Sequence, residues 1–255
     1  MINQAPGFKA LAVAMRILVT AGGTRSYLDP VRWFGNVSRG KFGREIARQC
    51  LARGMEVVHL HAADAPTVWQ RVVDIRNGPD AMMHTLDAVL ESESWWNRYR
   101  SIEFDNWQGY AQQLEGLLRG ERIDIVFLAA AVADYAPAPQ TGKITSDADE
   151  LVVRMHRTPK LIAQVKEWSP GTFQVGFKLA AGVAERELIE AARESGRRYR
   201  SDVTVANDLA LLAAGRHTIH LIRDGEPVET YGPPENVAAR LVERVMHWYQ
   251  TRRGG

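Results

Sequence analysis

RILVTAGGTRSYLDPVRWFGNVSRGKFGREIARQCLARGMEVVHLH, residues 16–61, decides the fold. It opens on an apolar run, 16–20, that breaks at Gly22-Gly23, as a strand running into a turn does. A helix follows over 41–53, with Phe42, Ile46, Ala47 and Leu51 at helical spacing and Gly54 as its stop. Residues 55–61 again read as a strand. Strand, glycine loop, helix and strand form a βαβ unit, so the two strands run parallel. The loop between them, residues 20–43, passes through Asp29-Pro30 and a second glycine cluster, Gly35 to Gly43. A loop of that length inside a compact domain usually serves function.

The same alternation continues outward. Residues 123–131 (IDIVFLAAA) are a continuous apolar run, the pattern of a central parallel strand buried on both faces. They end in Val132-Ala-Asp134-Tyr135, beyond the carboxyl end where open α/β sheets hold ligands. Between the two regions, 69–75 reads as strand or loop, 80–91 as helix, 101–104 as strand, and 106–119 as a helix with Tyr110, Leu114, Leu117 and Leu118 inward. Trp95 and Trp96 in the insertion 62–101 suit either the cap of a core edge or a base-stacking platform. Residues 142–146 and 150–157 look like two short strands of a hairpin-like excursion. A helix over 159–168, a strand over 172–179, a helix over 184–198 and a strand over 201–205 follow. Residues 218–222 and 228–231 flank the hairpin signal Asp224-Gly225, and 234–249 is a closing helix. The prediction is an α/β, Rossmann-like, doubly wound and mostly parallel sheet with helices on both faces, a late antiparallel element and a small antiparallel excursion. One domain is expected over 15–250, between an arm (1–14) and a tail (251–255).

Among 255 residues, 45% are hydrophobic and 24% charged, which suits a globule able to bury a core. A net charge of +2 gives no argument for nucleic acid, and no apolar run reaches the ~20 residues that cross a bilayer. The first 14 residues lack the pattern of a secretory signal. The single cysteine, Cys50, excludes an intramolecular disulfide and suits a cytoplasmic protein; its place among Ile46, Ala47 and Leu51 is that of a small buried hydrophobe.

Several motifs leave two readings open. Gly22-Gly23 is either a tight turn or a phosphate cradle, and the GxGxxG fingerprint is absent. Gly35 to Lys41 fits GxxxxGK, yet Phe42 stands where a P-loop needs Ser or Thr, and no strand directly precedes it, so a kinase or ATPase reading fails. Ser38, Gly40 and Lys41 at a helix start still suit an anion, with Asn36 and Arg32 directed to the same cavity. Lys143 is either a solvated lysine or a cation that a lid brings to a phosphoryl oxygen. Arg193, Arg197, Arg198 and Arg200 complement a helix dipole or clamp phosphate. The histidines show no zinc-ligand spacing.

Taken together, TAGGTRSYLDPVRWFGNVSRGKFG, AAAVADY at 129–135, GKI at 142–144 and AND at 206–208 closely resemble phosphopantothenoylcysteine synthetase (phosphopantothenate–cysteine ligase), in order and over about 15–250. The resemblance implies ligation of 4′-phosphopantothenate to L-cysteine through an acyl-nucleotidylate, with ATP or CTP as the triphosphate, Mg2+ accompanying it, and neither flavin nor zinc. It implies Asn36, Lys143, Arg32 and Ser38 as catalytic residues. Gly22, Gly23, Thr24, Ala130, Ala131, Asp134, Phe177, Lys178 and Arg198 are implied at the nucleotide, with Gly40 and Lys41 joining Arg32, Asn36 and Ser38 at the substrate. The family is a homodimer whose excursion strands reach the neighbouring subunit, which suits 142–157. Departures exist: Arg157-Thr-Pro-Lys160 stands for a bacterial KNPD, Phe177-Lys-Leu-Ala180 for FAAE, and Arg198 substitutes for a lysine aligned near Tyr199. The first two, with the Trp-rich insertion 62–101, lean to the eukaryotic-type branch and to ATP, and the short arm before the first strand leans to a stand-alone synthetase. The rival readings are a NAD(P)-binding reductase, whose ribose reader would be Asp64, and a non-catalytic nucleotide-binding dimer.

Overall fold

The computed structural model describes residues 15–69, 93–138 and 140–253; the expected arm, the 80–91 helix, nearly all of 69–75 and the last two tail residues lie outside them. Strand β1 (Arg16–Ala21) leads through β2 (Arg25–Asp29) and β3 (Arg32–Gly35) to helix α1 (Lys41–Ala52) and β4 (Glu56–Ala62). Strand β5 (Tyr99–Phe104) and helix α2 (Trp107–Gly120) precede β6 (Ile125–Leu128), β7 (Tyr135–Pro137) and β8 (Met155–Arg157). Helix α3 (Val165–Trp168), β9 (Phe173–Ala180), α4 (Glu185–Tyr199), β10 (Val203–Asp208) and α5 (Leu209–Ala213) follow. The chain closes with β11 (Ile219–Ile222), β12 (Glu229–Tyr231) and α6 (Val237–Arg253).

Among the described residues the main sheet has eight strands in the order β12-β11-β10-β9-β6-β1-β4-β5. From β10 to β5 every pairing is parallel; β11 and β12 are antiparallel additions. In chain order the parallel strands lie 3-2-1-4-5-6, the doubly wound dinucleotide-fold arrangement, and the winding reverses between β1 and β6.

Strand periodicity explains the two-sided core. Ile17, Val19, Val57, Ile125 and Phe127 pack on one side with Ile46 and Leu51 of α1 and Leu241 and Val245 of α6. Their neighbours Leu18, Val58, Leu60 and Val126 point the other way, onto Tyr110, Leu114 and Leu118 of α2 and Trp168 of α3. Helix α2 starts as its sequence suggests, with the Asn106 side chain accepting the Gly109 N–H at 2.8 Å. Cys50 is buried in the first cluster, and burial pushes its thiol up to about 12, which makes it inert. The tryptophans cap a core edge: Trp69 and Trp95 pack on the first cluster, and Trp96 stacks on Trp69 at 4.5 Å.

Three expectations need correction. The long loop holds a hairpin, β2–β3, because the buried Asp29 carboxylate accepts the Val31 and Arg32 N–H groups at 2.9 and 2.7 Å and closes the turn at Asp29-Pro30. Residues 142–154 carry no strand; within the excursion only Met155–Arg157 does, and its partner is Tyr135–Pro137 rather than 142–146. The helix expected over 159–168 is a 3-10 turn, Leu161–Ala163, followed by the four-residue α3.

Candidate active site

The loops after β1 and β6 meet at the point where the winding reverses. Thr24 N–H donates to the Ala131 carbonyl (3.1 Å), and Ala131 N–H to the Gly22 carbonyl (2.8 Å), so the two strands continue as one short parallel bridge. Thr24 is buried, and its hydroxyl accepts the Ala133 N–H at 3.0 Å. Thr20 does the same for Ala130 N–H at 3.1 Å. Thr24 therefore shapes the loop from behind. Gly22, at φ +88°, is a close approach that no other residue allows: a Cβ there lies 2.6 Å from the Ala62 Cβ. Gly40, at φ +70°, caps α1 with no side-chain bond, and a Cβ there lies 2.7 Å from the Ala65 Cβ and 3.0 Å from Gly22 N. These glycines bring the start of α1 against the end of β1.

Beyond β6 lies a cavity of about 330 Å³ lined by Ala130, Ala131, Asp134, Lys160, Phe177 and Lys178. Tyr110 from α2, and Ser195 and Tyr199 from α4, also line it. Five of the residues implied for the nucleotide are thus brought together. Arg198 is not among the lining residues: it is exposed, with its guanidinium 5.7 Å from the ring centre of Tyr199. Arg193, Arg197 and Arg200 are in ion pairs with Glu190, Asp224 and Glu167, at 3.8, 3.3 and 3.7 Å.

A second group of residues packs against Gly23. The Asn36 backbone lies over Gly23, where a Cβ would stand 2.7 Å from the Asn36 carbonyl oxygen. Asn36 and Lys41 are exposed and Ser38 is half-buried. Arg32 donates to Asp29 Oδ2 at 2.7 Å and to the Ile144 carbonyl at 3.2 Å, while Ile144 N–H donates to Asp29 Oδ2 at 3.1 Å. Asp29 and Arg32 thereby tie down the backbone beside Lys143, whose own side chain is exposed. Burial would raise the Asp29 carboxyl, but the Val31, Ile144 and Arg32 N–H groups and the Arg32 guanidinium outweigh it and hold the group below the usual carboxylate range.

Phe42, the residue that spoils the P-loop pattern, packs on the first core cluster and against Phe177, which lines the cavity. Its ring meets Phe177 at 6.1 Å and His217 at 4.3 Å, both edge-on. Sequence reasoning missed the anchoring by Asp29 and the pairing of Lys160. The Asp-Pro turn signalled a bend at Asp29; no spacing signalled that Lys160 folds back to Asp134, with which it is in an ion pair. Asp64, the ribose reader that a reductase would use, is in an ion pair with Arg25 at 2.9 Å. Among the described residues no group of three or more His, Cys, Asp or Glu side chains could hold a metal ion.

The family model for the DNA/pantothenate metabolism flavoprotein C-terminal domain matches residues 13–92 and 111–249. The coenzyme A biosynthesis bifunctional protein CoaBC of Thermococcus kodakarensis is 34% identical over 81% of this chain and 44% of its own length. Human phosphopantothenate–cysteine ligase is 29% identical over 76% of this chain and 72% of its own. The chain spans about half the length of the CoaBC relatives it matches. The crystal structure of the DNA/pantothenate metabolism flavoprotein from Streptococcus pneumoniae superposes with a TM-score of 0.74 at 26% identity, over 92% of this chain and all of that one. A Cab2 variant in complex with phosphopantothenate-cysteine shares the fold, with a TM-score of 0.81 at 21% identity over 95% of this chain and 88% of that one.

Proposed function

Because the chain belongs to the DNA/pantothenate metabolism flavoprotein C-terminal domain family, we propose that it ligates 4′-phosphopantothenate to L-cysteine at the expense of a nucleoside triphosphate. The observation that carries this reading is the pair of adjoining surfaces at the sheet's reversal point. Ala131, one member of the Gly23–Ala131 bridge, lines a cavity with Asp134, Phe177 and Lys178, and the backbone of Asn36 and Ser38 packs against the other member, Gly23. Two polyanionic substrates must be held end to end, and such an arrangement suits them.

In the first step the phosphopantothenate carboxylate attacks the α-phosphorus. An oxygen–phosphorus bond forms, the bond to the β-phosphate bridge breaks, and pyrophosphate leaves. Lys143 supplies positive charge to the phosphoryl oxygens as the bond order shifts. Mg2+ enters with the triphosphate as part of that substrate. In the second step the cysteine amine attacks the acyl carbon, the carbon–oxygen bond to the nucleotide breaks, and the nucleoside monophosphate departs. Asn36 donates to the acyl oxygen, and Arg32 and Ser38 hold the same end, with Gly40 and Lys41 at the substrate's anionic group. We assign ATP as the preferred triphosphate, on Lys160 and on the Phe177-Lys-Leu-Ala180 pattern. The working unit is a homodimer joined at the excursion, where Leu151 and Val152 are exposed, and its setting is the cytoplasm. Among the described residues no helix is long and apolar enough to cross a membrane.

The test is pyrophosphate release from protein, phosphopantothenate, cysteine and Mg2+ with ATP and CTP in competition. Release with neither nucleotide sinks the reading. Lys143→Ala should slow nucleotidylate formation by about a hundredfold or more, whereas Asn36→Ala should form it and pass it to cysteine slowly by a like factor. Equal loss of both half-reactions in both variants would undo the two assignments.

A further inference from the structure

Among the described residues, Lys160 is the cavity-lining cation whose ammonium touches another lining residue. It bonds Asp134 Oδ1, and Asp134 Oδ2 accepts no hydrogen bond among the described residues. The pairing is built by the backbone on both sides. Thr158 N–H donates to the Asp134 carbonyl at 2.9 Å, and the Thr158 hydroxyl donates to the Ala133 carbonyl. Tyr135 and Arg157 face each other in the β7–β8 ladder, and Leu161, next after Lys160, is buried in the core beneath α2. Lys160 is thus held in register with Asp134 from both flanks. Both side chains stay open to the cavity, at 44% and 60% exposure.

Asp134 lies beyond the carboxyl end of β6, beside the reversal point. In doubly wound sheets ligands bind outside the carboxyl ends of the strands at the reversal point, and a carboxylate exposed there is an acceptor for the hydroxyls of a bound nucleotide's ribose. An ionised carboxylate accepts at both oxygens, so one can hold an ammonium while the other meets a hydroxyl. We propose that Lys160 is a positioning residue for the ribose of the bound nucleotide, orienting Asp134 so that its second oxygen faces the ribose hydroxyls. This rests on the proposed function in one respect, that a nucleoside triphosphate enters this cavity. An exposed pair adds little to folding, so removing Lys160 leaves the chain folded and the test clean.

The experiment is equilibrium binding of ATP and CTP with Mg2+, each against its 2′,3′-dideoxy form. It compares the full chain with Lys160→Met, Lys160→Arg, Asp134→Asn and the Lys160→Met/Asp134→Asn double variant. The unaltered chain should prefer the ribonucleotide by about tenfold or more, the loss expected when a hydrogen bond to a charged group is removed. Lys160→Met and Asp134→Asn should each bring that ratio close to one, the double variant should add nothing, and Lys160→Arg should keep it. A wild-type ratio in Lys160→Met overturns the proposal. So does an equal weakening of both nucleotide forms, which would make Lys160 a plain phosphate or structural cation. Absence of triphosphate binding, or of any ribose preference, in the unaltered chain overturns it as well. Nucleotide binding with the expected ratios but no pyrophosphate release would instead sink the ligase reading and leave this assignment standing.

Discussion

Asp29 shows how one side chain couples a turn to a distant segment. Its two carboxylate oxygens take the Val31, Arg32 and Ile144 N–H groups and the Arg32 guanidinium, so the hairpin tip and the backbone next to Lys143 share one anchor. Burial opposes ionisation here, yet those four donors hold the carboxyl below its ordinary range. A carboxyl depressed in the folded state stabilises the fold fully above the unfolded value of about 3.9, and that contribution is lost as pH falls through the lower folded value. Asp29→Asn should therefore lower the urea midpoint at pH 7, and its gap to the unaltered chain should narrow towards pH 3. A gap that is constant across that range would show that ionisation of Asp29 contributes nothing. Asn36 and Lys143 were legible as candidate site residues only through whole motifs, because a single Asn or Lys in a loop has no periodic signature. Lys160 was legible only as part of a motif, and its pairing with Asp134 was not. Its partner is 26 positions away, and backbone pairing at Thr158 brings the two together.

At the scale of elements, amphipathic spacing was enough for α1, α2, α4 and α6, whose starts lie within about three residues of expectation. Short elements escaped it. Strands β2 and β3 have five and four residues, too few for alternation to stand out against the glycines around them. Glycines in two helical contexts make the point testable. Gly40 has φ +70° and a Cβ there would meet Ala65 at 2.7 Å, so Gly40→Ala should destabilise by about 1–3 kcal/mol. Gly116 lies on the exposed face of α2 with nothing within 4 Å, and Gly116→Ala should stabilise by about 0.8–1 kcal/mol. Urea unfolding of both variants checks the pair. Equal effects in the two would mean that the approach of α1 to β1 is not what requires Gly40.

At the scale of the whole molecule, the excursion leaves Leu151 at 53% and Val152 at 76% exposure over a concavity of about 470 Å³ that also includes Leu28 and Pro137. Exposed apolar side chains beside a concavity suit burial against a second copy of the chain. Val152→Asp should shift the proposed dimer to monomer in light scattering, and an unaltered chain that is monomeric at micromolar concentration would refute the assembly. The alternation of buried strands and amphipathic helices by itself determined the doubly wound sheet. A parallel strand pair needs a crossover, and crossovers of one hand wind the chain in only a few ways. The motifs by themselves determined the family resemblance and five of the residues that line the cavity. Only the tertiary structure decided that Thr24 supports the loop from behind, that Arg198 lies outside the cavity, that Phe42 packs on Phe177, that Asp29 anchors the hairpin and Ile144, and that Lys160 pairs with Asp134. Hydrogen bonds and close approaches between segments far apart in sequence settle such matters, and local spacing carries no record of them.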